Sequence, residues 1–409
     1  MNSSLDPVLT REGWDLLTRL QALPHTTEAD QAQLNALLRK EGIEPTLVSA
    51  LLTQLDLRVH AHTKFGEFAN HMIFTRDGLE QATRLNVAAH HAGRFRDSGA
   101  TYVADLGCGI GSDSLAIAGL GLKTLSVDLN PDAVACATTN LRDFPDSDVL
   151  LGNVLDLDIH ELADRGVDAI FADPARRTGA KRGSRRLMNP ESWSPSLSTV
   201  LGWREAIPRV GIKVAPGITY SALPEDACVQ WTSVDGSIVE AAVWTGPLAH
   251  DGSGRVACVI KGSRTFTLRA IHEAPANAPL IPTPVGKLAD YLGEPDDAVI
   301  RAGLISTLAD QLDAHLISES IAYVSATEAT PSEFIRWFKV EDVVTLKPKT
   351  ISAALRSLGI GRIEVKKRGA DIDPATLRRS LKLSGDKDGV VIATRIEGRH
   401  RAIIATRVS

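Results

Sequence analysis

The amino-acid sequence predicts an α/β protein in which a doubly wound parallel sheet lies between an N-terminal helical region and a C-terminal α+β module. Three observations support this prediction. Leucines recur at three- and four-residue spacings over the first 70 residues, as in packed helices. From residue 102, short apolar runs alternate with helix-like segments, which is typical of βα units in a parallel sheet. After a segment rich in proline and alanine at 271–286, helix and strand signals mix.

Local signals predict the individual elements. The segment from Thr75 to Phe95 contains helix-forming residues throughout and predicts one long helix. Pro131 suits the first turn of a helix, and Asp235-Gly236-Ser237 between two β-forming runs is typical of a hairpin. Helices are also predicted over 112–120 and 131–142, and strands over 102–106, 123–128, 148–151, 167–172, 210–214, 228–234, 238–244, 256–260 and 265–270.

Length and composition indicate a soluble protein of several domains. The chain has 409 residues, 44% of them hydrophobic and 23% charged. Its N-terminus lacks the pattern of a signal peptide, and no apolar run is long enough to span a membrane, so we expect a cytoplasmic protein without membrane contact. HExxH, GxSxG and Walker A motifs are absent from the sequence. Four cysteines form no metal-like cluster, so we expect reduced thiols and no metal site: Cys108, Cys136, Cys228 and Cys258.

The charge is distributed unevenly along the chain. The net charge is −5, but residues 332–409 contain 17 Lys and Arg against 9 Asp and Glu, which gives +8 there and −13 elsewhere. A basic C-terminal module on an acidic body suggests a site for a polyanion. The alternative is a solvated basic surface, and charge alone does not decide between the two.

A glycine-rich turn follows the first predicted strand. Gly107, Gly109 and Gly111 come after Asp105, whereas a dinucleotide fingerprint would need a glycine where Ser112 stands. This pattern resembles the S-adenosylmethionine (SAM) loop of class I methyltransferases. The resemblance implies that Asp105 meets the ammonium group of SAM and that the glycines let the backbone approach its amino-acid end. The alternative is a glycine turn without a ligand.

Two further strand ends carry candidate ligand-binding residues. Asp128 ends the second predicted strand, where an acid can accept both ribose hydroxyls of a nucleoside. The alternative for Asp128 is the cap of the next helix, a role that Asn130 suits at least as well, so Asp128 stays available for the ligand. Leu129 is assigned to the same cofactor site. After the third strand, the resemblance implies that Asn153 accepts from the adenine amino group and that the N–H of Val154 reaches the ring. A turn role is the alternative for Asn153.

An Asp-Pro corner ends the fourth predicted strand. Asp173 and Pro174 lie where ligands of open α/β sheets bind. The corner resembles the Asp/Asn-Pro-Pro-aromatic loop of methyltransferases that act on exocyclic amines of bases, which implies that Asp173 and the Pro174 carbonyl orient the nucleophile. Ala175 and Arg176 depart from that loop at its third and fourth positions. The alternative is a strand-ending turn.

A basic segment follows this corner, with no acidic residue between Pro174 and Pro190. Its charge predicts contact with phosphate, and a disordered flap is the alternative. Lys213 interrupts the apolar fifth strand and could form a salt bridge in the core or face the cleft. The cations of the basic segment are Arg176, Arg177, Lys181, Arg182, Arg185 and Arg186.

The four strand-end elements together resemble Rossmann-like class I SAM-dependent methyltransferases. The upstream segment Gly78–Thr83, the Asp-Pro-Ala-Arg-Arg corner and the basic run Gly361–Gly369 are similar to bacterial methyltransferases with a THUMP-like C-terminal domain, related to the trimethylguanosine-synthase group. The resemblance implies an RNA partner that contacts Lys366, Lys367 and Arg368. It also implies four regions: helices at 1–74, a methyltransferase domain at 75–270, a linker with a ferredoxin-like segment at 271–331 and a THUMP-like domain at 332–409.

These inferences predict a SAM-dependent methyltransferase that acts on a base in RNA. Two alternatives remain open. One is an RNA-binding protein whose SAM-binding domain is catalytically silent, which the departures at Ala175 and Arg176 motivate. The other is a methyltransferase for a small molecule. The oligomeric state is not predicted.

Overall fold

A computed structural model describes residues 3–23, 26–175, 189–270 and 274–408. The chain divides into two compact units. The first unit contains Met1–Val214 and Ala242–Asp251, and the second contains Ala215–Ala241 and Gly252–Ser409. Over the described ranges, no helix is long and apolar enough to cross a membrane.

Three helices begin the first unit, as predicted for this region. Thr10 and Thr27 cap the first two helices, and the side chain of each accepts from the backbone N–H of the third residue of its helix. Most leucines at helical spacing are buried and form one core with the residues that follow, for example Leu17, Leu38 and Leu51, whereas Leu37 is exposed. The helices are α1 Arg11–Gln21, α2 Glu28–Lys40 and α3 Pro45–Phe65.

The long helix predicted from Thr75 to Phe95 is wrong, because the structure has two helices, α4 Arg76–Gln81 and α5 Leu85–Asp97. Residues 82–84 between them are not helical. The ammonium group of Lys64 accounts for the break, because it donates to the carbonyl oxygens of Leu79, Glu80 and Ala82 at 2.7–2.8 Å. These carbonyls therefore have a donor in place of the next helical turn.

The predicted doubly wound sheet of the first unit is confirmed. Its strands run in the order β3-β2-β1-β4-β5-β7, and β1 to β5 are parallel. The apolar runs become the central strands because both faces of a parallel sheet are covered. The strands are β1 Tyr102–Leu106, β2 Lys123–Asp128, β3 Ser147–Leu151, β4 Ala169–Ala172 and β5 Arg209–Val214, with helices α6 Ser112–Gly119, α7 Pro131–Asn140, α8 Ile159–Asp164 and α9 Leu197–Gly202.

The second unit begins with the predicted hairpin, β6 Cys228–Val234 and β7 Ser237–Trp244, whose last three residues belong to the first unit. Its strands β8 Gly254–Lys261 and β9 Arg264–Arg269 continue the order β7-β6-β8-β9. The first elements after the linker are β10 Tyr291–Pro295, α10 Asp297–Arg301, α11 Ile305–Gln311, β11 His315–Leu316 and β12 Val324–Ala326.

A seven-stranded sheet completes the second unit, in the order β11-β12-β10-β13-β16-β15-β14. One face carries an apolar core that includes Leu292 and Phe338, and the other face is covered by two helices. The remaining elements are β13 Ile335–Thr345, α12 Pro348–Ser357, β14 Ile360–Lys367, α13 Pro374–Ser380, β15 Lys387–Ile396 and β16 Arg399–Arg407. The ferredoxin-like interpretation of the preceding segment and the four domain boundaries stay predictions.

Candidate active site

The strand register brings the predicted site residues into one row at the carboxyl ends of the strands. Leu106 of β1 pairs with Val127 of β2 and with Ala172 of β4, and Ala172 pairs with Ile212 of β5. The next residue along each of these four strands therefore lies in the next row of the sheet. Those residues are Gly107, Asp128, Asp173 and Lys213.

The glycine loop needs its glycines for two separate reasons. Gly107 has a φ of 90°, and a Cβ added there would lie 2.8 Å from the carbonyl oxygen of Asp173. Gly111 has a φ of 81°, and its added Cβ would lie 3.2 Å from the Cβ of Ala137 on α7. The loop thus turns tightly against both the Asp-Pro corner and the next helix. A Cβ at Gly109 would meet nothing within 4 Å, so the loop has open space on that side.

Asp128 joins the end of β2 to the glycine loop. Its Oδ2 accepts from the N–H of Gly109 at 2.9 Å, and its Oδ1 accepts from the N–H of Asn130 at 2.8 Å. Asn130 caps α7 by accepting from Asp132, as expected. Each carboxylate oxygen has a further lone pair, so Asp128 can still accept from ligand hydroxyls.

Three large apolar side chains at or just after the ends of β2 and β3 are exposed. Leu129 is 69% exposed, Leu151, which pairs with Asp128 across the strands, is 60% exposed, and Leu155 is 51% exposed. The side chain of Asn153 accepts from the N–H of Leu155 at 3.1 Å and begins a short turn at Val154–Asp156. Exposed apolar surface of this kind fits the flat ring of a nucleobase.

Asp105 lies beneath the loop. It is buried and accepts a short hydrogen bond from Ser114, which in turn accepts from Ser126 at 2.8 Å. Burial, followed by the charge of Asp113, raises the pKa of Asp105 to about 7. The predicted contact of Asp105 with a ligand ammonium group stays a prediction.

Lys213 joins Asp173 to the upstream helices. Its ammonium group donates to Asp173 Oδ2 at 2.9 Å and to Thr83 Oγ1 at 3.0 Å. Of the two alternatives that the sequence left open for Lys213, the buried salt bridge is the one observed, and it lies at the site itself. Thr83 comes from the break between α4 and α5, which the sequence did not predict.

Asp113, in the first turn of α6, extends this network. Its Oδ2 accepts from Thr83 at 2.7 Å, and its Oδ1 lies 2.8 Å from His91 Nδ1. Burial alone would raise the pKa of Asp113, but the hydrogen bond and charge of His91 and the charge of Lys213 lower it below the ordinary value. Nothing in the sequence beyond their residue types indicated Asp113 or His91, whereas a lysine inside an apolar strand was a visible signal.

The Asp-Pro corner is held by backbone contacts on its far side. The N–H of Ala175 donates to the carbonyl of Ser194 at 2.9 Å, and the N–H of Ser194 donates back to Ala175 at 3.1 Å. Pro174 is buried between this contact and Asp173. The predicted phosphate-binding residues Arg176, Arg177, Lys181 and Arg182 lie outside the described residues.

The three cations predicted to contact substrate in the C-terminal region all make internal contacts. Lys366 lies 2.8 Å from Glu294, and Lys367 donates to the carbonyl of Ile372 at 2.7 Å. The guanidinium of Arg368 lies over the ring of Tyr323, with its carbon 5.4 Å from the ring centre. Their role in RNA binding stays a prediction.

Metal ligands do not cluster in the described parts of the chain. No group of three or more His, Cys, Asp or Glu side chains there could hold a metal ion. The four cysteines are buried and form no disulfide bonds among the described residues. Burial raises the pKa of the Cys108 thiol within the glycine loop, so this side chain stays protonated rather than acting as a nucleophile.

Two family models match the ends of the chain. A model described as a THUMP domain-like family matches residues 335–407, which confirms the predicted C-terminal domain type. A model described as a domain of unknown function (DUF8688) matches residues 3–61, the region of α1 to α3.

Whole-chain similarity extends to proteins from two bacteria. Two Mycobacterium tuberculosis proteins, from strains CDC 1551 and H37Rv, are named uncharacterized S-adenosylmethionine-dependent methyltransferases. Each is 29% identical to this chain over 361 residues, which is 86% of this chain and 93% of the relative. A crystal structure from Porphyromonas gingivalis W83, described as a candidate methyltransferase, superimposes with a TM-score of 0.73 at 18% identity and covers 98% of this chain and 99% of that one. The shared fold extends over both units and includes the α/β sheet.

Proposed function

We propose that this chain, a SAM-dependent methyltransferase that carries a THUMP-like domain, transfers the methyl group of SAM to a base in RNA. The row of residues at the carboxyl ends of β2, β1 and β4 carries the proposal. On one side, the backbone of Asp173 lies so close to Gly107 that an added Cβ would be 2.8 Å from its carbonyl oxygen, and on the other side Asp128 accepts from the N–H of Gly109. The loop for the methyl donor and the corner for the acceptor therefore form one continuous site.

The residues around the glycine loop fit SAM. Asp128 offers carboxylate lone pairs for ribose hydroxyls, and the exposed side chains of Leu129 and Leu155 offer apolar surface for adenine. The open side of Gly109 leaves room for the backbone to approach the amino-acid end. We assign Asp105, Gly111, Asn153 and Val154 to the same binding site.

The chemistry requires little more than alignment. Bound SAM supplies a methyl group on a positively charged sulfur: the nucleophile's lone pair forms the new bond to carbon, the C–S bonding pair stays on sulfur, and the nucleophile's proton passes to water. Asp173 and the Pro174 carbonyl accept hydrogen bonds from the nucleophile and orient it. Holding reacting groups near contact distance lowers the barrier by several kcal/mol, roughly 7–11 in the best cases.

The outer surface of α12 and α13 supports RNA as the substrate. Both helices pack their apolar sides onto the same face of the seven-stranded sheet, and the backbone N–H of Lys382 donates to Ser352 of α12 at 3.1 Å. Segments 346–358 and 374–385 contain six cations and no Asp or Glu. We call this surface the basic helix layer; its six cations are exposed, namely Lys347, Lys349, Arg356, Arg378, Arg379 and Lys382.

The cations of the basic helix layer are more exposed than Lys366 of the basic run Gly361–Gly369, which was predicted from the sequence to bind RNA. Lys366 lies in a largely buried ion pair, whereas Lys349 and Arg356 are exposed and lie seven residues apart, on one side of α12. Clustered exposed cations are the groups that bind phosphates along a nucleic-acid backbone, and of the six only Arg379 has an acid beside it in the described part of the chain, Asp373 at the cap of α13.

Methyl transfer to RNA can be measured with the purified full-length protein, methyl-labelled SAM and total bacterial RNA. We expect label in the RNA and, after digestion, in a methylated base. The variant Asp173→Ala should lose transfer while its SAM dissociation constant, measured by calorimetry, stays nearly unchanged. Asp173→Asn, which can still bond to Lys213, serves as the second variant if the alanine protein unfolds.

Each alternative gives a different result. A silent RNA-binding protein would bind RNA and leave it unlabelled. A small-molecule methyltransferase would bind SAM, leave RNA unlabelled and show little salt dependence of substrate affinity. Equal loss of SAM binding and transfer in both Asp173 variants would assign a structural role to this residue.

A further inference from the structure

We propose that Lys213 is a positioning residue for methyl transfer: its ammonium group fixes one oxygen of the Asp173 carboxylate and leaves the other to accept from the substrate nucleophile. This inference rests on the proposed function and adds a residue to its site. It starts from two contacts, 2.9 Å from Lys213 Nζ to Asp173 Oδ2 and 3.0 Å from Nζ to Thr83 Oγ1. Asp173 Oδ1 makes no hydrogen bond within the described part of the chain.

Burial differs between the two partners of this ion pair. The side chain of Lys213 is 8% exposed, whereas that of Asp173 is 29% exposed. The lysine side of the contact is therefore shielded from water, and the carboxylate side reaches the surface of the site. A substrate can approach Asp173 without displacing Lys213.

Folding of the strand does not by itself require a lysine here. The other residues of β5 from Val210 to Val214 are apolar or glycine and are buried. An apolar residue would fit such a strand if Asp173 were replaced as well, because replacing both partners of a buried ion pair by apolar residues is often neutral or stabilising. The parallel register, however, pairs Ala172 with Ile212 and so puts Lys213 directly beside Asp173, the first residue after β4.

The rest of the network explains how the ammonium group is held still. Thr83 accepts from Lys213 and donates to Asp113 Oδ2 at 2.7 Å, and Asp113 Oδ1 lies 2.8 Å from His91. Lys213 is thus tied to the break before α5, to α6 and to α5 itself. A carboxylate at a strand end can rotate about its side-chain bonds, and a fixed ammonium partner restricts that rotation. This is the condition for aligning a nucleophile.

Substitutions at Lys213 separate positioning from folding. Lys213→Met removes the charge at similar length, and Lys213→Arg keeps the charge. For each protein, calorimetry gives the SAM dissociation constant and label transfer gives kcat and KM for RNA. We expect Lys213→Met to lower kcat at least about thirtyfold while the dissociation constant and KM change less than about threefold. Lys213→Arg should recover part of kcat.

Two comparisons complete the test. Lys123→Met is the matched control, because Lys123 begins β2 and lies at the end of the strand opposite to Asp128 and the site. Its kcat, KM and SAM dissociation constant should equal those of the wild type. Asp173→Ala and the double variant Asp173→Ala/Lys213→Met should have equal kcat, because Lys213 acts through the Asp173 carboxylate and has nothing to position once it is removed. If the two losses multiply, or if Lys213→Met keeps wild-type kcat or loses SAM binding to the same extent, the positioning role is overturned. A wild-type protein that binds SAM without labelling RNA contradicts the proposed function instead.

Discussion

Gly107 connects the two halves of the proposed site, so its substitution should damage both. An alanine there meets the carbonyl oxygen of Asp173 at 2.8 Å and must also adopt a φ of 90°. The strained backbone costs roughly 1–2 kcal/mol, and the close contact must be relieved by moving the corner. We expect Gly107→Ala to weaken SAM binding by about tenfold or more in calorimetry, which equals about 1.4 kcal/mol.

Gly121 offers a matched control for this substitution. Its φ is 80°, and a Cβ there would meet nothing within 4 Å. Gly121→Ala therefore has the same kind of backbone strain without the contact at the corner. SAM affinity should stay within about twofold of wild type in that variant, a difference under about 0.5 kcal/mol. Equal weakening in the two variants would contradict a close approach between loop and corner.

Asp105 predicts a pH dependence of stability. Its pKa is raised from an ordinary 3.8 to about 7 by burial and by Asp113. Between about pH 4 and 7, Asp105 therefore keeps a proton in the folded protein and loses it in the unfolded chain. The contribution of Asp105 to the free energy of unfolding is complete below about pH 4 and is lost as pH rises from about 4 to 7. The slope approaches about 1.4 kcal/mol per pH unit for one group. The pKa of Asp113 is lowered, so its contribution is lost only as pH falls below about 4.

The variant Asp105→Asn isolates this effect, because an amide oxygen can still accept from Ser114. Thermal midpoints of the variant and the wild type should be compared between about pH 4 and 8. As pH rises, we expect the thermal midpoint of the variant to increase relative to that of the wild type, and this change to level off above about pH 7. A difference that is constant across this range would rule out a proton held by Asp105.

Lys64 shows how one side chain decides the length of a helix. It gives its hydrogen bonds to three carbonyls at the end of α4, where the next turn of a continuous helix would begin. We expect Lys64→Met to destabilise the first unit by about 1–3 kcal/mol, because three carbonyls, two of them partly buried, lose a charged donor. Hydrogen exchange should also rise at residues 82–84, next to Thr83.

Lys40, at the exposed end of α2, is the control for that substitution. Lys40→Met should change stability by less than about 0.5 kcal/mol. If Lys64→Met leaves exchange at the break unchanged, the helix ends there for a reason other than this contact.

The sequence predicted the strands of the first unit, its helical N-terminal region and helices α6 and α7 because their signals are local, whereas α8 and α9 were not predicted. Apolar runs between glycine turns define β1 and β2, and Pro131 marks the start of α7. The break after α4 could not be predicted, because its cause is the side chain of Lys64 from another helix. Local patterns report what a segment prefers, and tertiary contacts override that preference.

Some residues of the candidate site could likewise be predicted from the sequence, and others could not. Gly107, Asp128 and Asp173 were predictable because parallel strands align their carboxyl ends, so residues distant in sequence become neighbours by topology alone. Thr83 and His91 were not predictable, because each comes from a helix whose packing on the sheet the sequence does not specify. Their contacts to Asp113 exist only after that packing has formed.

At the scale of the whole molecule, the proposed SAM site belongs to the first unit and the basic helix layer to the second. The two should therefore respond separately to substitution. SAM affinity should depend on the glycine loop and Asp128, and RNA affinity should depend on exposed cations of the layer. This separation distinguishes an RNA-modifying enzyme from one whose basic module is only a solvated surface.

The double variant Lys349→Gln/Arg356→Gln tests this separation, because it removes two exposed cations from one side of α12. Removal of one cation that binds a phosphate should reduce the slope of log affinity against log salt by about 0.7 for single-stranded RNA, so we expect a slope lower by up to about 1.4. Affinity at low salt should fall about tenfold, and the SAM dissociation constant should stay unchanged.

Arg395→Gln/Arg399→Gln provides the control with the same change in charge. These arginines are exposed at the hairpin between β15 and β16, outside the basic helix layer. General attraction between RNA and a basic domain would make the two double variants equivalent, because both remove two positive charges from residues 332–409. Direct phosphate binding depends on position, so only the α12 variant should lower the salt slope. Equal salt slopes in the two variants would show that the basic helix layer is not the RNA-binding surface. They would not contradict methyl transfer by the first unit, which the label-transfer assay tests separately.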